Sequence, residues 1–129
     1  MKIKTIILIA SIFGVISVIT GAMGAHALKA ILEPEALASY LTGSRYNMYN
    51  AISLLAIAGV SPHLEQKWSN NGILLIIWGT ILFSGSIYLL STSTITGLEL
   101  GSIIGPITPI GGILIILGWI SIALAALKK

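Results

Sequence analysis

The chain has 129 residues, 56% of them hydrophobic and 9% charged, with a mean hydropathy of +1.01. A water-soluble domain carries about 25% charged residues, so a soluble surface is excluded and one lipid-embedded domain is expected over residues 1–129. The net charge of +3 sits mainly at the chain ends, where it signals membrane orientation and not nucleic-acid binding; the lack of cysteine rules out disulfides, thiolate metal sites and thiol catalysis.

Residues 3–25 are apolar or small, long enough for a membrane-spanning helix of ~20 residues. Lys2, Lys4, the apolar run and Ala25-His26-Ala27 also mimic a secretory signal peptide, but the run is long for a signal core and further spans follow. On a helical wheel Ala10, Gly14, Ser17, Gly21 and Ala25 share one narrow stripe, with Gly24 at its edge. Small residues let helix backbones approach closely. Glu33-Pro34-Glu35 then starts a second helix, because proline suits the first helical position and an acidic residue complements the dipole there. This helix is expected over residues 34–60, roughly 40 Å long at 1.5 Å per residue. That exceeds the ~30 Å hydrocarbon thickness, so residues 34–40 are expected outside it and the span itself over 41–60.

Residues 61–71 read as a polar turn, with Trp68 placed for the interfacial aromatic belt. The third span is expected over 72–90, carrying Gly72, Gly79 and Ser86 every seven residues. The long stretch 91–108 is expected to fold back onto the end of the bundle. Thr108-Pro109 reads as an N-cap followed by proline at the first helical position, opening a fourth span over 109–127. Gly111, Gly118 and Ala125 give that span the same seven-residue small face, which favours left-handed packing at shallow angles. The expected fold is therefore an all-α membrane protein with four transmembrane helices. Placing both termini in the cytoplasm puts Lys2, Lys4, Lys67, Lys128 and Lys129 there, as the excess of positive charge on that side requires.

The candidate site lies in Arg45-Tyr46-Asn47-Met48-Tyr49-Asn50. Thr42, Arg45, Tyr46, Tyr49 and Ser53 share a face about 100° wide, and Asn47 and Asn50 continue round to nearly the opposite side. An ionisable residue inside a membrane is a functional-site hypothesis; the competing reading ties Arg45 to loop carbonyls or to Glu33, Glu35 or Glu99 and makes the asparagines bridges between helices. His26 ends the first span on the same side as Arg45, so the two could meet. His63 is expected at the opposite surface, so no shared metal site follows, and no cofactor is implied. No acidic residue lies within a span, which argues against a proton-driven exporter. The serines in the spans read as bonding to helix backbones and not as nucleophiles.

Four blocks occur in order: Gly21-Ala22-Met23-Gly24-Ala25-His26, Arg45-Tyr46-Asn47-Met48-Tyr49, Phe83-Ser84-Gly85-Ser86-Ile87-Tyr88, and Gly105-Pro106-Ile107-Thr108-Pro109-Ile110-Gly111-Gly112, closed by Leu117-Gly118-Trp119. Together they resemble the YgdD/YwdK family of small, uncharacterised bacterial inner-membrane proteins, and the likeness covers nearly the whole chain. Family members typically carry an aromatic residue where this chain has Met23, and Gln and His where it has Asn47 and Asn50. The missing histidine weighs against titration at position 50, while amide hydrogen bonding survives. The resemblance implies a multi-span membrane protein of the bacterial plasma membrane, with no established activity.

The first functional reading is a non-enzymatic structural or accessory protein, associated with lipid. One polar cluster of His26, Arg45, Asn47, Tyr49 and Asn50 would grip a phospholipid headgroup, since arginine pairs bidentately with phosphate. Gly14, Ser17, Gly21, Gly24, Gly79, Ser86, Gly111 and Gly118 would pack the helices and support a homo-oligomer. A second reading is a small-solute or lipid transporter or channel subunit, and a third an intramembrane enzyme using His26.

Overall fold

The computed structural model describes residues 1–128; Lys129, counted above with the basic residues of the C-terminus, lies outside them. Helices α1 (Ile3–Ala25), α2 (Pro34–Val60), α3 (Gln66–Ser91), the single turns α4 (Ser93–Thr96) and α5 (Gly101–Ile104), and α6 (Ile107–Lys128) follow in order. A 3-10 turn at Ser61–His63 joins α2 to α3. At one end of the bundle, the terminal end, the Met1 ammonium donates to Asn70 Oδ1 at 3.0 Å and Lys128 Nζ sits 4.5 Å over the Trp68 ring. The starts of α1 and α3 and the finish of α6 therefore meet there. α1 and α3 run one way; α2 and α6 return from the other, distal, end.

The packing order follows the chain. α2 lies against α1 and α3, and α6 lies against α3. Ile6, Ala10 and Phe13 of α1, Leu54 and Ile57 of α2, and Ile73 and Ile76 of α3 fill one apolar core. A smaller cluster at the distal end seats Leu28 and Leu32 on Tyr40, whose ring lies 5.3 Å from that of Tyr88. The surface is inverted relative to a soluble protein. Val15, Val18 and Ile19 on α1 and Ile113, Ile116, Trp119 and Ile120 on α6 are exposed, while Ser17, Ser44, Asn47, Asn50, Thr80 and Ser84 are buried. Lipid solvates the first set at no cost, and the second needs protein acceptors.

Three helices, not the expected four, are long and apolar enough to cross a membrane: α1, α3 and the segment Gly101–Lys128. The exception is α2. Its 27 residues give it length to spare, but Ser44, Arg45, Tyr46, Asn47, Tyr49 and Asn50 dilute its apolar character.

Two boundaries also move. α3 begins at Gln66, so most of the expected polar turn 61–71 is helix. The reason is the cap: the Glu65 carboxylate accepts the Trp68 N–H at 2.9 Å, satisfying one of the open donors of the first turn, although glutamate is not among the preferred caps. α6 begins at Ile107, placing Thr108 inside the helix and not at its N-cap. Pro109 is tolerated because first-turn N–H groups have no intrahelical acceptor to lose. The Thr108 hydroxyl instead pairs with that of Ser86 on α3.

Helices α3 and α6 meet backbone to backbone. A β-carbon on Gly79 would lie 2.9 Å from the Gly111 carbonyl oxygen, one on Gly72 2.9 Å from that of Gly118, and one on Gly111 would collide with the Phe83 backbone nitrogen. The seam closes at the terminal end, where Ser121 Oγ donates to the Trp68 carbonyl at 2.7 Å and the Glu65 N–H to that of Ala125 at 3.0 Å. On α1 the inward face is rotated from the expected stripe. Ala10, Phe13, Ser17 and Gly24 are buried, and Gly24 sits under Leu41 and Tyr40 of α2. Gly14 has open space where a side chain would go, and Ala25 is exposed. Phe13 takes the inward place.

Gly111→Ala is expected to lower the thermal midpoint in mild detergent, by the 1–3 kcal/mol typical of overpacking (roughly,), while Gly14→Ala leaves it unchanged or raises it slightly. Thermal melts followed by circular dichroism check both. The Trp68 N–H holds the Glu65 carboxylate below its usual range, and Lys67 and Lys128 nearby add to this. The cap therefore stabilises the fold above the unfolded carboxylate pKa and loses that contribution as pH falls through the lowered folded value. Glu65→Ala is expected to melt below the parent at neutral pH, with the gap narrowing once the buffer drops below about pH 4.

Candidate functional site

The polar residues of α2 divide between two faces. On the inner face, Ser17 Oγ donates to the Ser44 carbonyl at 2.7 Å and Ser44 Oγ donates back to the Ser17 carbonyl at 2.9 Å. This reciprocal pair fixes the register of α1 on α2. One turn on, Asn47 Nδ2 donates to the Phe13 carbonyl at 2.6 Å. From the third helix, Ser84 Oγ donates to the Gly43 carbonyl at 2.8 Å. Gly43 is where α3 comes nearest, since a β-carbon there would meet Ile87 at 3.0 Å and Tyr88 at 3.1 Å. Thr20 and Tyr88 hydroxyls, 3.2 Å apart, bridge α1 to α3.

Asn50 is also inside, at 3% exposure, but its Nδ2 has no hydrogen-bond partner among the described residues. The buried Ser69 hydroxyl shares that condition. An unmet buried donor carries its full desolvation penalty, so Asn50 weakens the core that Asn47 strengthens.

The outer face holds Arg45, Tyr46 and Tyr49, all exposed. Tyr46 packs edge-on against Tyr49 at 5.5 Å and against Phe83 of α3 at 5.1 Å. Arg45 forms no hydrogen bond or ion pair with another described residue. The single cluster expected from the sequence does not close around it. His26 is exposed where α1 ends, with only its backbone N–H engaged, to the Ala22 carbonyl at 3.2 Å. Asn47 and Asn50 face α1 and α3, while Arg45 points away. The cause is angular: at 100° per residue Arg45 lies about 160° from Asn47 and 140° from Asn50. His63 lies in the turn at the terminal end, and no group of three or more metal-binding side chains occurs among the described residues.

Sequence reading missed two features. One is the Ser17–Ser44 pair, since serines in membrane helices usually bond within their own helix. The other is a groove of about 780 Å³ between the start of α2, the end of α3 and the start of α6, bordered by Phe83 and Thr42. It exists because α6 packs chiefly on α3 and leaves α2 uncovered on that side, a fact of tertiary packing that no local pattern carries.

The four sequence blocks all fall within residues 20–112, the region matched by the family described as a protein of unknown function, DUF423. The chain belongs to that family. It is 37% identical over 126 residues to the UPF0382 membrane protein YwdK of Bacillus subtilis, covering 97% of this chain and 98% of that one. Against a UPF0382 membrane protein of Haemophilus influenzae the identity is 39% over 129 residues, covering 100% and 98%. The UPF0382 membrane protein C1782.12c of Schizosaccharomyces pombe is 36% identical over 112 residues, 86% of this chain and 92% of that one. No solved structure matches. This DUF423 chain is thus a helical membrane protein of a family whose function is unknown.

The two asparagines are expected to respond in opposite directions. Asn47→Leu removes the bond to Phe13 and lowers the thermal midpoint, by roughly the 0.6–1.7 kcal/mol of an interhelical polar contact in a membrane protein. Asn50→Leu replaces an unpartnered amide with a side chain of similar size and leaves the midpoint equal or higher. Detergent melts of the two variants side by side check the contrast.

Proposed function

We propose that this protein is a non-catalytic, lipid-associated accessory protein of the bacterial plasma membrane, crossing it four times with both termini in the cytoplasm. Direction supports the fourth crossing. α1 and α3 are parallel, so if both span the bilayer the chain must recross between them, and α2 is the helix packed along both. Charge supports the orientation. Lys2, Lys4, Lys67 and Lys128 gather at the terminal end, while the distal end has Lys29, with Arg45 reaching toward it, beside Glu33, Glu35 and Glu99, as the positive-inside pattern asks.

Arg45 carries the functional reading. An exposed guanidinium on the flank of a membrane helix, with no protein acceptor, meets either hydrocarbon or phosphate, and hydrocarbon is costly. Side chains lean toward a helix's N-terminus, and α2 begins at the distal end. Arg45 therefore reaches toward the headgroup layer, the snorkelling direction, with Tyr46 and Tyr49 beside it as belt residues. Its fork matches phosphate oxygens two at a time. Self-association belongs to the same proposal. It would use faces still open, such as that of Gly14, because Gly72 and Gly79 of α3 and Gly111 and Gly118 of α6 are already covered within one chain.

Native mass spectrometry from mild detergent tests this. The parent is expected to retain phospholipid, and Arg45→Ala to lose most of it. The stability in lipid-free detergent should stay within the roughly 0.5 kcal/mol typical of surface changes. Equal retention by parent and variant, or none by the parent, would remove Arg45 from the explanation.

A further inference from the structure

We propose that the groove between α2, α3 and α6 is a seat for a phospholipid whose headgroup carries a primary ammonium. This rests on the lipid-associated reading above and specifies the headgroup. The groove changes character along its length. Phe83, Ile87 and Leu90 of α3 form its wall, and Glu33 and Glu35 stand at its distal mouth. An apolar trough ending in two carboxylates matches an amphiphile with a cationic head and not a soluble anion.

The two glutamates are not consumed by the fold. Glu33 occupies the N-cap of α2 yet makes no capping hydrogen bond with its side chain. Neither carboxylate forms an ion pair among the described residues, although Lys29 lies in the same connection. The starts of α2 and α6 each bring about +0.5 of an elementary charge to this end. Two full carboxylates outweigh that, and the mouth remains negative.

An independent observation comes from α3. Ser91 lines the groove at 7% exposure, and its hydroxyl has no hydrogen-bond partner among the described residues. A serine in a helix ordinarily bonds back to its own turn, as Thr92 beside it does to the Tyr88 carbonyl at 2.7 Å. Ser91 instead keeps an open acceptor in the same groove as the carboxylates. An ammonium with three N–H donors can reach two carboxylates and a hydroxyl. A quaternary ammonium has no N–H to give, and a glycerol headgroup brings no cation to offset the phosphate charge.

The test offers the purified full chain an equal mixture of ethanolamine, choline and glycerol phospholipids with identical acyl chains. Bound headgroups are then read by native mass spectrometry. The expected result is about tenfold enrichment of the ethanolamine lipid over each of the others, the scale of losing one charge-assisted hydrogen bond. Enrichment should fall to about onefold in the Glu33→Gln, Glu35→Gln double variant and be reduced in Ser91→Ala. Ser39→Trp, which fills the groove from an exposed position, should abolish it and keep the fold should the double variant melt early. The proposal is overturned if the parent shows no ethanolamine preference, if choline binds equally well, or if enrichment survives either the double variant or Ser39→Trp. Loss of headgroup preference with retention still dependent on Arg45 sinks only this inference; a parent that retains no phospholipid sinks the lipid-associated reading with it.

Discussion

The packing of α1, α2 and α3 on one another answers to one constraint: polar side chains buried between these helices need acceptors where water supplies none. The reciprocal Ser17–Ser44 bonds and the Asn47 bond to Phe13 meet it on the side of α1. Ser84 meets it from α3 by donating to Gly43. Each of these bonds ends on a backbone carbonyl, and each acceptor lies on a neighbouring helix. Their loss would leave groups stranded in low dielectric, where an unmet group costs far more than the bond contributes in water. The apolar core of Ile6, Leu54, Ile73 and Ile76 fills space around this framework. It cannot set register alone, because lipid tails are as apolar as leucine.

The attachment of α6 follows different physics. Its contact with α3 is a seam of glycines through which backbones touch, and van der Waals contact is what lipid cannot match there. The polar fastenings sit at either end: Ser86 with Thr108 toward the distal end, Ser121 with Trp68 toward the terminal end. Since the seam takes only one face of α6, the other faces are left to lipid. The same geometry opens the groove beside α2. Close packing on one partner and separation from the next are two results of one choice of small residues.

Much of the architecture is legible in the sequence because its signals are local. The extents of α1 and α2 follow from an unbroken apolar run and from Glu33-Pro34-Glu35. Gly72, Gly79, Gly111 and Gly118 announce a contact by their seven-residue spacing, and they stand where the α3 and α6 backbones meet. The start of α3 was hidden because Glu65 caps with a residue type seldom used for it. The site was legible only as a list of polar residues. A helical wheel gives angles but no neighbours, so it separates Arg45 from Asn47 without showing that Asn47 finds Phe13 while Asn50 finds nothing. Nor could it show the groove, which depends on where α6 does not go.

The uneven polarity of the helices has a consequence for biosynthesis. If α2 crosses the bilayer as proposed above, it must carry Ser44, Asn47 and Asn50 into the hydrocarbon while Arg45 reaches out toward the headgroups. The acceptors that Asn47 and Ser44 find, the Phe13 and Ser17 carbonyls, belong to the helix the ribosome makes immediately before. α1 is apolar enough to enter the bilayer by itself; on the proposed four-span topology, α2 would enter as the second arm of a hairpin already begun.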